Sequence, residues 1–179
     1  MFAALYYPFV FTTRFQIVYL VGTLAVFAAV AFFSRAGARR VAGALCSVLV
    51  FTALSAPIDN FGARHDLWTY PSCQNPAHPP LAVYVGQALM FVGTMALIGW
   101  RVQRRFGLRG VAWLAAIVCA LGAIRDFSVA AALPDLLRFG PMPAALFADL
   151  AAWAIIVLVA LGVTRLVAGP AAADALRRG

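Results

Sequence analysis

Residues 41–105 read VAGALCSVLVFTALSAP (41–57), IDNFGARHDLWTYPSCQNPAHPP (58–80), LAVYVGQALMFVGTMALIGW (81–100) and RVQRR (101–105). Two apolar runs enclose a polar, aromatic, proline-rich connector, and the second run ends on clustered arginines. Crossing a hydrocarbon layer takes about 17–25 apolar residues. Lipid offers no partner to free backbone groups, and no barrel pattern is present, so both runs are predicted to be helices.

Working outward, three further runs of the same kind appear at Phe15–Ser34, Gly110–Val129 and Ala144–Val167. The chain is 64% apolar, against about 45–50% in soluble domains. The predicted fold is an all-α integral membrane protein. Residues 1–168 form one domain, a bundle of five transmembrane helices, with residues 169–179 as a basic tail.

Arginine placement orients the bundle. Arg35, Arg39, Arg40, Arg101, Arg104, Arg105, Arg109, Arg165, Arg177 and Arg178 fall on one side, and Arg14, Arg64, Arg125 and Arg138 on the other. Cytoplasmic loops carry the excess of positive charge, so the N-terminus is expected outside and the C-terminus in the cytoplasm. A bacterial inner (plasma) membrane is the expected location. The net charge of +8 then reflects topology and contact with anionic headgroups. No folded basic module is present, so nucleic acid is not an expected partner. Met1–Thr13 is apolar and aromatic without a basic leader region, which suits an interfacial segment in the outer leaflet better than a signal peptide.

Lys and Glu are absent, so the few polar groups on the external side stand out. The loop 58–80 gathers Asp59, Arg64, His65, Asp66, Trp68, Tyr70, Cys73 and His78 among prolines, the composition of an ordered cap. Trp68 and Tyr70 also suit ordinary interfacial anchoring. A second external loop spans Arg125–Pro143. Arg125 and Asp126 sit deep in the fourth run, where an unpaired Asp costs about 2.5–3.5 kcal/mol. Helix neighbours diverge by about 100°, so each is expected to pair on another helix: Asp126 with Arg64, Arg125 with Asp59 or Asp149.

Asp149 lies one turn above Trp153 on the same face, as in a pocket for a cationic or polyene ligand or at an interfacial helix end. In the third run Tyr84, Gln87, Phe91 and Thr94 form a stripe, and Gln87 is expected to hydrogen-bond across the bundle.

Cysteines and histidines mainly exclude functions. There is no Cys-x-x-Cys for a thiol oxidoreductase, and both histidines are in the external loop, away from any bis-His haem site. His65, Asp66, Cys73 and His78 match no metal-ligand spacing. No metal and no cofactor are expected. Charges confined to helix ends leave no polar path for a transporter. A weak internal echo runs helix, aspartate, loop, proline, helix, once through Asp59 and Pro80 and again through Asp126 and Pro143. A parallel repeat of this kind places a shared site between the two units.

The stretch from Val41 to about Arg101, with Asp59 closing a helix, Trp68-Thr69-Tyr70 following and Pro80 opening the next helix, resembles the membrane lycopene cyclase domain of carotenoid pathways. That family follows its proline with paired glutamates; this chain has Ala82 and Val83 there. The resemblance implies a helical bundle with an isoprenoid-sized cavity, without the family's acids.

The expected function is an integral membrane enzyme of isoprenoid or lipid metabolism, a redox-neutral cyclase or isomerase. Asp59, Asp126 and Asp149 are the candidate catalytic acids, with Asp59 and Asp126 favoured as the acid–base pair. Trp68, Tyr70, Tyr84, Gln87, Arg125 and Trp153 are the candidate substrate-binding residues. The alternative is a non-catalytic subunit or a lipid- or pigment-binding protein of a larger complex. Expected partners are a membrane lipid or isoprenoid, with self-association or another membrane protein as further options.

Overall fold

The computed structural model describes residues 12–73 and 75–171. Most of the proposed interfacial segment and of the basic tail therefore lies outside the described residues. The chain is mostly helical, and four helical stretches are long and apolar enough to cross a membrane. Helix α1 spans Thr13–Phe33, α2 Ala38–Arg64 and α5 Ala144–Ala168. Between α2 and α5, helix α3 (Leu81–Gln87), a π-helical segment (Ala88–Gly93) and helix α4 (Thr94–Ala132) follow without interruption.

That stretch of 52 residues would measure about 78 Å as a straight helix. It does not run straight. Gly107 has φ 62° and ψ −153°, a backbone state open to glycine and costly for other residues. The chain reverses there: Gly99 faces Leu114, and the Arg125 guanidinium reaches the Phe91 ring. Where the sequence predicts a connector over residues 101–109, one glycine makes the turn.

Helix α1 starts at Thr13, so Arg14 sits in its first turn rather than ahead of it. Thr12 caps it, its Oγ1 accepting from the Phe15 N–H at 3.2 Å. Helix α2 continues seven residues past the predicted end at Pro57. Proline removes one backbone donor, and side chains nearby bond back to the helix, Ser55 Oγ to the Phe51 carbonyl and Asn60 Nδ2 to the Ala56 carbonyl. Asp59 therefore lies within the helix, not in the loop. Helix α4 likewise runs past Arg125 and Asp126 to Ala132, so the second loop begins at Leu133.

The core forms where α2 packs on α5. Ser47 is fully buried, its Oγ bonding to the Gly43 and Ala160 carbonyls and to Thr164 Oγ1. Gly43 allows this approach, since its face meets Thr164 directly. Below, Arg40 donates to the Gly169 and Pro170 carbonyls at 2.7 and 2.9 Å and lies over the Trp100 ring. Large apolar side chains such as Phe32, Leu49, Trp113, Leu158 and Leu166 face outward, as a lipid-facing surface requires.

The two connectors at the opposite end zip together. Strand β1 (Trp68–Thr69) pairs antiparallel with β2 (Arg138–Phe139), with Trp68 opposite Phe139 and Thr69 opposite Arg138. Ser72 N–H donates to the Asp135 carbonyl and Gly140 N–H to the Leu67 carbonyl. The first loop thus caps the helix ends, tied to the second by these bonds. The two echoing units, each helix–strand–helix, meet through these strands.

Candidate functional site

Beneath this cap lies a cavity of about 280 Å³ lined by side chains from all the helices and both loops. Asp59, Trp68, Tyr70, Tyr84, Gln87, Arg125, Asp126, Asp149 and Trp153 all line it. Every candidate site residue read from the sequence is brought to this one space. Their arrangement differs from the expected one in four respects.

Asp59 is saturated. Its Oδ1 accepts from Trp68 Nε1 at 2.8 Å and from the Tyr70 hydroxyl at 3.2 Å, and its Oδ2 from the Tyr84 hydroxyl at 2.6 Å. Three neutral donors hold a buried carboxylate without a cation. Burial, then the negative field of Asp59, pushes the Tyr70 hydroxyl well above its ordinary range, so it stays a donor. Gly62 leaves room for the indole of Trp68, which lies against it.

Arg125 pairs with its chain neighbour. Its Nη1 is 2.9 Å from Asp126 Oδ1, contrary to the expectation that each would pair across helices. The 100° divergence applies at Cβ, and the long arginine stem curls back across it. Neither Arg64 nor Asp59 supplies the pairing. The guanidinium also lies 4.8 Å from the Phe91 ring centroid and 6.0 Å from that of Trp153, within reach of favourable contact with both aromatic faces.

Trp153 serves Asp126 rather than Asp149. Its Nε1 donates to Asp126 Oδ2 at 2.8 Å, and its ring meets Phe91 edge-to-face at 5.2 Å. Asp126 is thus fixed from two sides. Asp149 stands close enough to Asp126 for the two carboxyls to share a hydrogen bond. Its Oδ2 has no hydrogen-bond partner among the described residues, although the residue is only 6% exposed.

Gln87 lines the cavity and makes no hydrogen bond to another described residue, so the expected bond across the bundle is not formed. The π-helical segment begins one residue later and carries Phe91, which meets Trp153; such segments inside α-helices are frequent at functional sites. Sequence reading placed Phe91 in the stripe but gave it no role. Tyr19, Leu136, Leu137 and Phe139 also line the cavity, and no local signal marks them. Phe139 is brought there by strand pairing and stacks on Phe127 at 4.1 Å.

His65 packs against Phe61, and His78 bonds Asn75. Among the described residues no three metal-ligating side chains gather. Compared with known protein families, characterised proteins and solved structures, the chain matches none.

Proposed function

We propose that this protein is an integral membrane enzyme that isomerises or cyclises an isoprenoid or related alkene lipid by proton transfer, without redox chemistry. The observation that carries this reading is the convergence of three carboxyls and nine aromatic side chains on one small, largely apolar cavity. The chain would cross the bilayer five times, N-terminus outside, in a plasma membrane. The reversal at Gly107 and the ten-to-four division of arginines support that topology, which puts the capped cavity at the outer leaflet.

Addition of a proton to an alkene carbon leaves a cation at its neighbour, and loss of a proton from an adjacent carbon restores the double bond. The proton account balances with no other reactant. Asp149, which lines the cavity and has one oxygen without a hydrogen-bond partner among the described residues, delivers the proton. Asp126, oriented by Trp153 and Arg125, completes a pair with Asp149 that takes a proton back. The faces of Phe91, Trp153, Trp68 and Tyr84 surround the transient cation. Asp59, saturated by its donors, is a fixed negative charge rather than a proton carrier, so the favoured pair moves from Asp59 and Asp126 to Asp126 and Asp149.

The likeness of residues 41–101 to the lycopene cyclase domain fits this reading in substrate class. Val83 and Ala82 stand where that family has glutamates, and here α4 and α5 would supply the acids instead.

Membranes carrying the protein and an acyclic polyene such as lycopene, incubated in D₂O, provide the test. The wild-type chain should incorporate deuterium into the polyene, and Asp126→Asn and Asp149→Asn should each lower incorporation by about 100-fold or more while the folded protein persists in the membrane. Full incorporation by both variants sinks the assignment. Retention of a stoichiometric lipid without exchange would instead identify a lipid- or pigment-binding protein.

A further inference from the structure

Two polar groups lining the cavity, the Gln87 amide and Asp149 Oδ2, have no donor or acceptor matched to them among the described residues, and their positions define what they can hold. Gln87 lies four residues before Phe91 on one helix, and Asp149 four residues before Trp153 on another. Both helices run inward from the cap, and Phe91 touches Trp153. Gln87 and Asp149 therefore stand at the same depth, one turn above that contact, on two walls of the same space. Asp149 Oδ2 is an acceptor without a donor, and the Gln87 amide offers both functions.

The charged groups are already committed. Arg125, the one cation lining the cavity among the described residues, is paired with Asp126 and lies beside two rings. Three carboxyls share the space with that single guanidinium. A multiply charged phosphate ester would meet like charge with no free cation to offset it. A hydroxyl, by contrast, can donate to Asp149 Oδ2 and accept from the Gln87 amide at once. A buried acceptor left without a donor is destabilising, and such a hydroxyl supplies the donor that Asp149 Oδ2 lacks among the described residues.

We infer that the cavity binds an isoprenoid alcohol, with its uncharged hydroxyl held between Gln87 and Asp149, and excludes the corresponding diphosphate. This rests on the reading of the cavity as an isoprenoid site and names the head group it accepts.

The test is equilibrium binding to the purified full chain in nanodiscs, using farnesol, farnesene and farnesyl diphosphate as probes. Farnesol should bind about tenfold or more tightly than either of the others, because a site built to bond a hydroxyl discriminates strongly against its absence. Gln87→Leu should bring farnesol down to the level of farnesene. Gln87→Ala serves the same purpose should the leucine variant not fold. Equal or tighter binding of farnesyl diphosphate, no binding of farnesol, or an unaltered alcohol preference in the Gln87 variants would each overturn the inference. Binding of farnesol by a protein that exchanges no deuterium into any polyene would sink the enzymatic reading and leave this one standing.

Discussion

The indole N–H of Trp153 on α5 donates to the Asp126 carboxylate on α4 at 2.8 Å. The same indole lies flat against Gly122, one turn before Asp126 on the same face of α4. One side chain thus both packs the two helices together and orients a carboxylate. The absence of a Cβ at Gly122 is what lets the ring come close enough.

Separating these two roles gives the first prediction. Trp153→Phe keeps a ring against Gly122 and Phe91 but removes the donor, and a hydrogen bond to a charged acceptor contributes about 1.5–3 kcal/mol. Gly122→Ala drives a methyl into the ring, an overpacking cost of about 1–3 kcal/mol. Gly162, also on α5, has nothing within 4 Å of its missing Cβ, so Gly162→Ala should be neutral or stabilising by about 0.5–1 kcal/mol. Thermal unfolding of the three variants in one detergent ranks them; equal stability of Gly122→Ala and Gly162→Ala would contradict the packing described.

The clamp on Asp59 gives the second. Tyr84 holds it at 2.6 Å and Tyr70 at 3.2 Å, so Tyr84→Phe should cost more stability than Tyr70→Phe. The larger loss is expected at about 1.5–3 kcal/mol, read from denaturant unfolding of each variant. Because Trp68 also bonds Asp59 at 2.8 Å, Trp68→Phe should fall nearer to Tyr84→Phe. An inverse ranking of the two tyrosines would show that Asp59 is held some other way.

Cys73, in the cap loop, reports on pH. Burial first, and the negative charge of Asp59 second, push its thiol up from an ordinary value near 9 to about 11. The unfolded thiol releases its proton first as pH rises, so this group's contribution to stability is complete below about 9 and is lost between there and about 11. In a variant with Cys46→Ala and Cys119→Ala, alkylation of Cys73 should accelerate about tenfold per pH unit up to about 11, since the thiolate is the nucleophile. Adding Asp59→Asn removes the second cause and should shift that profile downward. A rate that levels off near 9 would refute the burial. In sealed vesicles of known sidedness, an impermeant reagent reaching Cys73 only from outside would support the proposed orientation.

Gly107 carries the reversal between the two arms of residues 81–132. Gly107→Ala places a Cβ on a residue with φ 62°, at a cost of order 1–2 kcal/mol. No atom lies within 4 Å of that missing Cβ, so any destabilisation seen on thermal unfolding comes from the backbone alone. Gly37→Ala, with equal space but an ordinary φ of −70°, is the control. Equal stabilities would mean that the turn tolerates side chains.

Much of the site was legible because the chain is so poor in polar residues. With Lys and Glu absent, Asp59, Asp126 and Asp149 were three of only five acids at the cap end, and apolar helices that end near one another bring such groups together. The roles within the site were not legible. That Asp59 is saturated while Asp149 keeps a free oxygen depends on Trp68 and Tyr70 folding back over α2. That folding is fixed by a two-residue strand pairing too short to leave a pattern. The pairing of Arg125 with its own neighbour depends on side-chain conformation, which residue spacing does not report.

By itself the sequence determined the solvent of each segment: apolar runs of spanning length become helices because lipid cannot satisfy a free backbone. Hydropathy is a local property, so one chain reading suffices for it. Only the tertiary structure decided how far each helix runs, where the third stretch turns back, and which carboxyl faces which donor. Those outcomes follow from helix rotation and depth, which are set by contacts such as Ser47 with Thr164 and Trp153 with Gly122, between residues far apart in the chain.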